Sequence, residues 1–173
     1  MKKALTVAIL VLTLVLTSGA QECKRYTGPD GGFSFCPPDG WSLEERTGEK
    51  YKMVFGMPSN GFRPNINVKD EQSAAPLADY VAAGIEKILA SVEKIGATNI
   101  KIVSQSDFVI GSEQRGIRVV FQSVYKGFVV RTIQYLFNAE GGKKIIVSCT
   151  SLESDKEVLD HVFDRSMETL QID

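Results

Sequence analysis

The sequence predicts an α+β domain: an antiparallel β-sheet flanked by one long inserted helix and one C-terminal helix. Three observations predict it. Apolar residues recur three or four apart in only two long stretches, from Leu77 to Ile95 and from Leu159 to Leu170, the period of a one-sided helix. Between these stretches run segments rich in β-branched and aromatic residues, Ile100–Ile110, Ile117–Tyr125, Phe128–Phe137 and Lys144–Thr150, parted by connections too short for anything but antiparallel neighbours. Within Ile117–Tyr125 both alternating sets carry apolar residues, so neither sheet face is fully wet, and two amphipathic helices are available as cover.

The chain opens with Lys2 and Lys3, then an apolar run from Ala4 to Leu16 and the small residues Ser18, Gly19 and Ala20. This run of thirteen residues, interrupted only by Thr6 and Thr13, falls short of the roughly 20 that span a bilayer, and the pattern is that of a secretory leader cleaved before Gln21. Residues 1–20 are therefore expected to be a signal peptide and residues 21–173 a single domain. A buried N-terminal helix is one alternative. A lipidated Cys23 is another, opposed by Glu22 where a small residue is wanted. Losing the leader leaves 18 Lys+Arg against 21 Asp+Glu, a net charge of −3. That balance argues against nucleic acid as a partner. No second apolar run approaches spanning length, so no integral membrane segment is expected after cleavage.

Taking the elements in order, Cys23 and Cys36 flank Thr27-Gly28-Pro29-Asp30-Gly31-Gly32. Pro29 and Asp30 suit the centre of a type I turn, and pairing about that turn places Cys23 opposite Cys36. A three-residue loop with a glycine bulge would instead pair Cys36 with Lys24. A Cys23–Cys36 disulfide is thus one of two readings, and export is what would permit it. Phe33–Cys36 reads as a short strand stopped by Pro37-Pro38 and turned by Asp39-Gly40 into Trp41. Trp41–Glu45 and Tyr51–Phe55 read as a hairpin, Gly56–Pro64 as a loop and Asn65–Lys69 as a half-buried strand. Pro76 suits the first turn of the long helix and Gly96 its C-terminal cap. The last helix is expected to open at Ser154, where Ser154 and Glu157 have the spacing of a capping box.

Gly32-Phe33-Ser34-Phe35-Cys36-Pro37-Pro38-Asp39-Gly40-Trp41 resembles the entry motif of PsbP-like domains, the family of the extrinsic photosystem II protein and of exported bacterial relatives. Element order is similar over nearly the whole mature chain. The resemblance implies a PsbP-like α/β/α sandwich and a non-enzymatic accessory or binding role in an extracytoplasmic space. The basic docking segments of the plant members have no counterpart here, so their role in photosynthesis is not implied.

Few residues suggest chemistry. His161 is the only histidine, and Glu157, His161 and Arg165 stand four apart on one helical face. They supply at most two metal ligands beside an opposing cation, so a solvated charge ladder is the expected reading and no metal is assigned. Cys149 lies within an apolar strand and reads as a small buried hydrophobe. Glu44-Glu45 and Asp70-Glu71 are adjacent within strands and point to opposite faces. Trp41 is expected to anchor the first hairpin to the core. The Gly56–Pro64 loop is the candidate for partner binding, because Met57, Phe62 and Arg63 are residue types enriched at interfaces. The alternative places Phe62 as a plug over the sheet edge, with Arg63 as a solubilising charge.

No catalytic residue and no cofactor is assigned. The expected function is that of an exported non-enzymatic accessory or binding domain, periplasmic or secreted, engaging an unidentified protein partner in the cell envelope. The competing expectations are a small extracytoplasmic enzyme with a site built from scattered loop residues and an envelope component with a role in assembly.

Overall fold

In the computed structural model, which describes residues 23–94, 96–111 and 114–173, seven strands form one antiparallel sheet. In chain order these are β3 (Ser42–Glu44), β4 (Met53–Phe55), β5 (Asn65–Gln72), β6 (Ala97–Ile110), β7 (Gln114–Tyr125), β8 (Phe128–Ala139) and β9 (Lys143–Leu152). They lie side by side as β3-β4-β5-β9-β8-β7-β6. Lys126 and Gly127, at φ of 48° and 83°, make the two-residue turn between β7 and β8 that the sequence predicts; both central residues must take positive φ for the turn to match strand twist. A smaller antiparallel sheet pairs β1 (Tyr26–Gly28) and β2 (Gly31–Phe35) with β10 (Gln171–Ile172). The predicted leader, residues 1–20, lies outside the described residues.

The two helices cover opposite faces, as the two apolar sets of the strands demand. Helix α1 (Leu77–Lys94) sets Val81 against Val119, Phe121, Leu136 and Ile146. Helix α2 (Lys156–Glu168) covers the other face with Phe163 and Met167, which join Ile133, Tyr135, Phe137, Val147 and Cys149. The small sheet closes this second core with Tyr26, Phe33 and Phe35. Trp41 docks there as expected, its ring edge-on to Phe163 at 5.8 Å. Gly56 permits this, because a Cβ there would stand 2.7 Å from the indole.

Two local expectations are corrected. The capping box does not form: Glu153–Asp155 make a 3-10 turn, Asp155 is the N-cap, and the Ser154 hydroxyl donates to the Asp155 carboxylate at 2.9 Å. The extra turn moves the helix start past Ser154. The first hairpin also departs from simple register. Gly28 pairs with Gly31 as a turn centred on Pro29-Asp30 requires, but a bulge then shifts the ladder so that Tyr26 faces Phe35. The disulfide nevertheless joins Cys23 to Cys36, with Cα atoms 5.7 Å apart, because Cys23 lies beyond the paired residues and is not bound to the ladder.

Cys36 is fixed from both sides. Its amide donates to the Thr169 hydroxyl at 2.8 Å and its carbonyl accepts from Ser166 at 2.6 Å, so the disulfide ties the N-terminal segment to the end of α2. Closing a loop of about 15 residues is worth about 3 kcal/mol through the unfolded chain. Cys36→Ser is expected to lower the free energy of unfolding by about 2–3 kcal/mol, read as a lower urea midpoint.

Lys50 bridges the two sheets, donating to Asp30 at 2.9 Å and Asp70 at 2.8 Å. The Lys50 hydrogen bond holds the Asp70 carboxyl below the ordinary carboxylate range. A carboxyl depressed in the folded state adds stability above its unfolded pKa of about 3.9, and that part is lost as pH falls through the folded value. Asp70→Asn is therefore expected to flatten the fall in Tm below about pH 4, while leaving its shape between pH 6 and pH 8 unchanged.

Candidate functional site

Helix α1 packs over β6, β7 and β8, meets β9 at Ile146 and leaves the same face of β5 and the Ser148 position of β9 open beside it. The gap is a groove of about 690 Å3 between α1 and the sheet, within the roughly 300–1,000 Å3 range of sites for small ligands. Strand register builds its floor. Asn67 of β5 lies opposite Ser148 of β9, and Ser148 lies opposite Gln134 of β8, giving a polar row across three strands. The next row on the same face is Lys69, Ile146 and Leu136. Tyr80, Gly84 and Lys87 form the helical wall, with Glu71 and Asp79 also lining the groove.

The groove's end is pinned by polar contacts. Lys144, only 3% exposed, donates to the Ser73 carbonyl at 2.8 Å, and the Tyr80 hydroxyl donates to Glu71 at 2.6 Å. Burial, then the Glu71 carboxylate, pushes the Tyr80 phenol well up, so it stays a donor at any physiological pH. The Gln134 amide donates to the Ser148 hydroxyl at 3.1 Å. Its carbonyl oxygen is shielded and has no partner among the described residues.

The three residues singled out in the Gly56–Pro64 loop occupy different environments. Met57 is 78% exposed. Phe62 is half-buried and meets Phe128 edge-on at 5.9 Å. Arg63 is held: it pairs with Glu44 at 2.6 Å, donates to the Gly56 carbonyl at 3.2 Å and stacks 4.5 Å over the Phe55 ring. The Arg63 hydrogen bond to Glu44 keeps that carboxyl below its ordinary range. The loop is tighter than its composition suggests, because Ser59 and Phe62 exchange backbone hydrogen bonds around Asn60-Gly61, at φ of 50° and 78°. Phe128 belongs to the same alternating set of β8 as Gln134 and Leu136, so the loop and the groove share one face of the sheet.

The opposite face carries a polar network that sequence reading missed. The Tyr135 hydroxyl donates to Asp164, which also pairs with Arg118 at 2.9 Å. Arg131 forks onto Asp160, Nε to Oδ1 at 3.0 Å and Nη2 to Oδ2 at 2.8 Å, and reaches Glu153 at 3.4 Å. The available signal was Arg118 within Ile117–Tyr125 and Arg131 within Phe128–Phe137, set against Asp160 and Asp164 one helical turn apart. These groups satisfy one another and fasten α2 to the sheet. Cys149 is fully buried in the same core, and burial pushes its thiol well up, which disfavours the nucleophilic thiolate. Glu157, His161 and Arg165 are exposed on α2. Among the described residues no group of three or more His, Cys, Asp and Glu is placed to hold a metal, and no helix is long and apolar enough to cross a membrane.

Comparison with solved structures decides the architecture. A cyanobacterial PsbP from Synechocystis sp. superposes with a TM-score of 0.66 at 13% identity, covering 92% of this chain and 99% of that one. The chain has the PsbP-like fold. LpqN of Mycobacterium tuberculosis, described as involved in cell envelope biogenesis, matches at TM-score 0.61 and 12% identity over 86% of this chain and 88% of its own. The Ran-binding protein Mog1p of Saccharomyces cerevisiae matches at 0.62 and 10% over 87% and 95%. At these identities the PsbP-like likeness is one of fold. No family model and no curated protein sequence matches the chain.

Proposed function

We propose that the mature chain is an exported, non-enzymatic binding domain that engages a protein partner in the cell envelope through the α1 side of its sheet. One contrast carries this reading. The α2 side ties its buried charges to one another, whereas the α1 side has an open groove and, on the same face, a loop presenting exposed Met57. An exposed methionine on the sheet face that carries a groove is suited to partner contact. A Ran-binding protein and a protein of cell envelope biogenesis share the fold, which is consistent with a binding role.

The test is capture from the native envelope fraction by matched variants. Met57→Asp is expected to abolish capture of a discrete partner. Val158→Asp, a change at a 67% exposed position on α2, leaves capture intact. Equal capture by both variants would sink the assignment of the face. Export is tested separately by N-terminal sequencing of the product, which is expected to begin at Gln21. A product retaining residues 1–20 contradicts the leader.

A further inference from the structure

We infer that the groove between α1 and β5 receives an extended peptide segment of a partner protein, held through its backbone amides and carrying charges of both signs. This rests on the reading of the domain as protein-binding and adds what the groove recognises. Asn67, Ser148 and Gln134 form one row across β5, β9 and β8. Neighbouring strands stand about 4.8 Å apart, so the row is about 10 Å long, the span of three residues of extended chain. A carboxamide joins two donors to an acceptor in one planar head, the complement of a peptide unit, which offers one N–H and one C=O. Rotation of the Gln134 amide about its terminal torsion exchanges which of its ends meets Ser148, so the row can present either a donor or an acceptor beside that hydroxyl.

The wall supplies a second, independent observation. Gly84 lies inside α1, where glycine costs helix stability relative to alanine, yet a Cβ built there meets nothing within 4 Å among the described residues. No contact among the described residues calls for glycine at this position. The missing side chain keeps the groove open. Around the groove Lys69 and Lys87 are matched by Glu71 and Asp79, a balance that disfavours polyanions and suits a segment of mixed charge. A neutral oligosaccharide would leave Lys69, Lys87 and Asp79 unmatched, and the Tyr80 hydroxyl it could bond is already committed to Glu71.

Short random peptides displayed on phage and panned against the purified protein supply the probe, and a fluorescein-labelled copy of an enriched sequence reports affinity. Gly84→Phe fills the groove and Gln134→Leu removes the floor amide; each is expected to weaken binding about tenfold or more, where every tenfold is about 1.4 kcal/mol. Gly84→Ala retains binding and raises Tm, and Gly84→Phe melts no lower than the parent, which separates occlusion from unfolding. Failure to enrich any peptide, or equal binding by the Gly84→Phe variant, overturns the inference. Binding of chitohexaose that Gly84→Phe abolishes, with no peptide enriched, overturns it in favour of a glycan. Met57-dependent partner capture that survives Gly84→Phe removes the groove's role and leaves the protein-binding reading standing, whereas loss of both removes both.

Discussion

Asp160→Ala is expected to destabilise the domain by about 3 kcal/mol, the lower end of the cost of stripping a partner from a buried ion pair. The Arg131 side chain is 11% exposed, and its fork onto Asp160 supplies its two shortest carboxylate contacts. Removing the carboxylate leaves a desolvated guanidinium with Glu153 at 3.4 Å, which is why the lower end applies. Arg118 loses a more distant neighbour at 3.6 Å. The paired replacement Arg131→Met with Asp160→Leu is expected to recover most of the loss, because apolar residues of similar volume commonly equal or exceed a buried pair in stability. Urea denaturation of the two variants beside the parent measures both. A single variant within about 0.5 kcal/mol of the parent, the usual bound for an inconsequential surface change, would show that the network does not fasten α2.

Phe163→Ala is expected to cost about 3–5 kcal/mol, the range for deleting a buried aromatic ring. Phe163 is fully buried, meets Trp41 edge-on and belongs to the cluster joining α2, both sheets and the entry segment. Its loss opens a cavity where the small sheet, the large sheet and α2 meet, so neither sheet can close it alone. Since 1 kcal/mol moves Tm by about 2–4 °C at this size, the expected fall is roughly 10 °C. Phe62→Ala, at a half-buried residue that meets Phe128 edge-on, is expected to cost markedly less. A Phe163→Ala loss no larger than that of Phe62→Ala would contradict the packing described here.

The features legible in the sequence are those set by local rules. The apolar period from Leu77 predicts α1, Lys126-Gly127 the tight turn between β7 and β8, and the mixed alternation of Ile117–Tyr125 a sheet covered on both faces; each appears in the structure. Asn60-Gly61 carried an equally local turn signal, absorbed into a segment read only as loop from its two prolines, two glycines and Asn60. The Ser154–Glu157 spacing misled because Glu153–Asp155 add a 3-10 turn before α2. β10 was unreadable: two residues after a helix have no period of their own, and Gln171 and Ile172 become a strand only because β2 offers an edge. The groove was equally hidden. Asn67, Gln134 and Ser148 are separate polar residues on three strands, and only register joins them into a row, while the offset of α1 toward β6–β8 leaves that row uncovered. Long-range placement of this kind has no signature in one segment.

The claim that the α1 side is the recognition face is tested most directly by photo-crosslinking in the native host. A photoreactive residue is placed at Met57, at Lys87 beside the groove, or at Val158 on the opposite helix. The account predicts one discrete crosslinked species from Met57 and Lys87, with Val158 silent. Crosslinking to that species from Val158, with Met57 and Lys87 silent, would place recognition on the α2 side and contradict it.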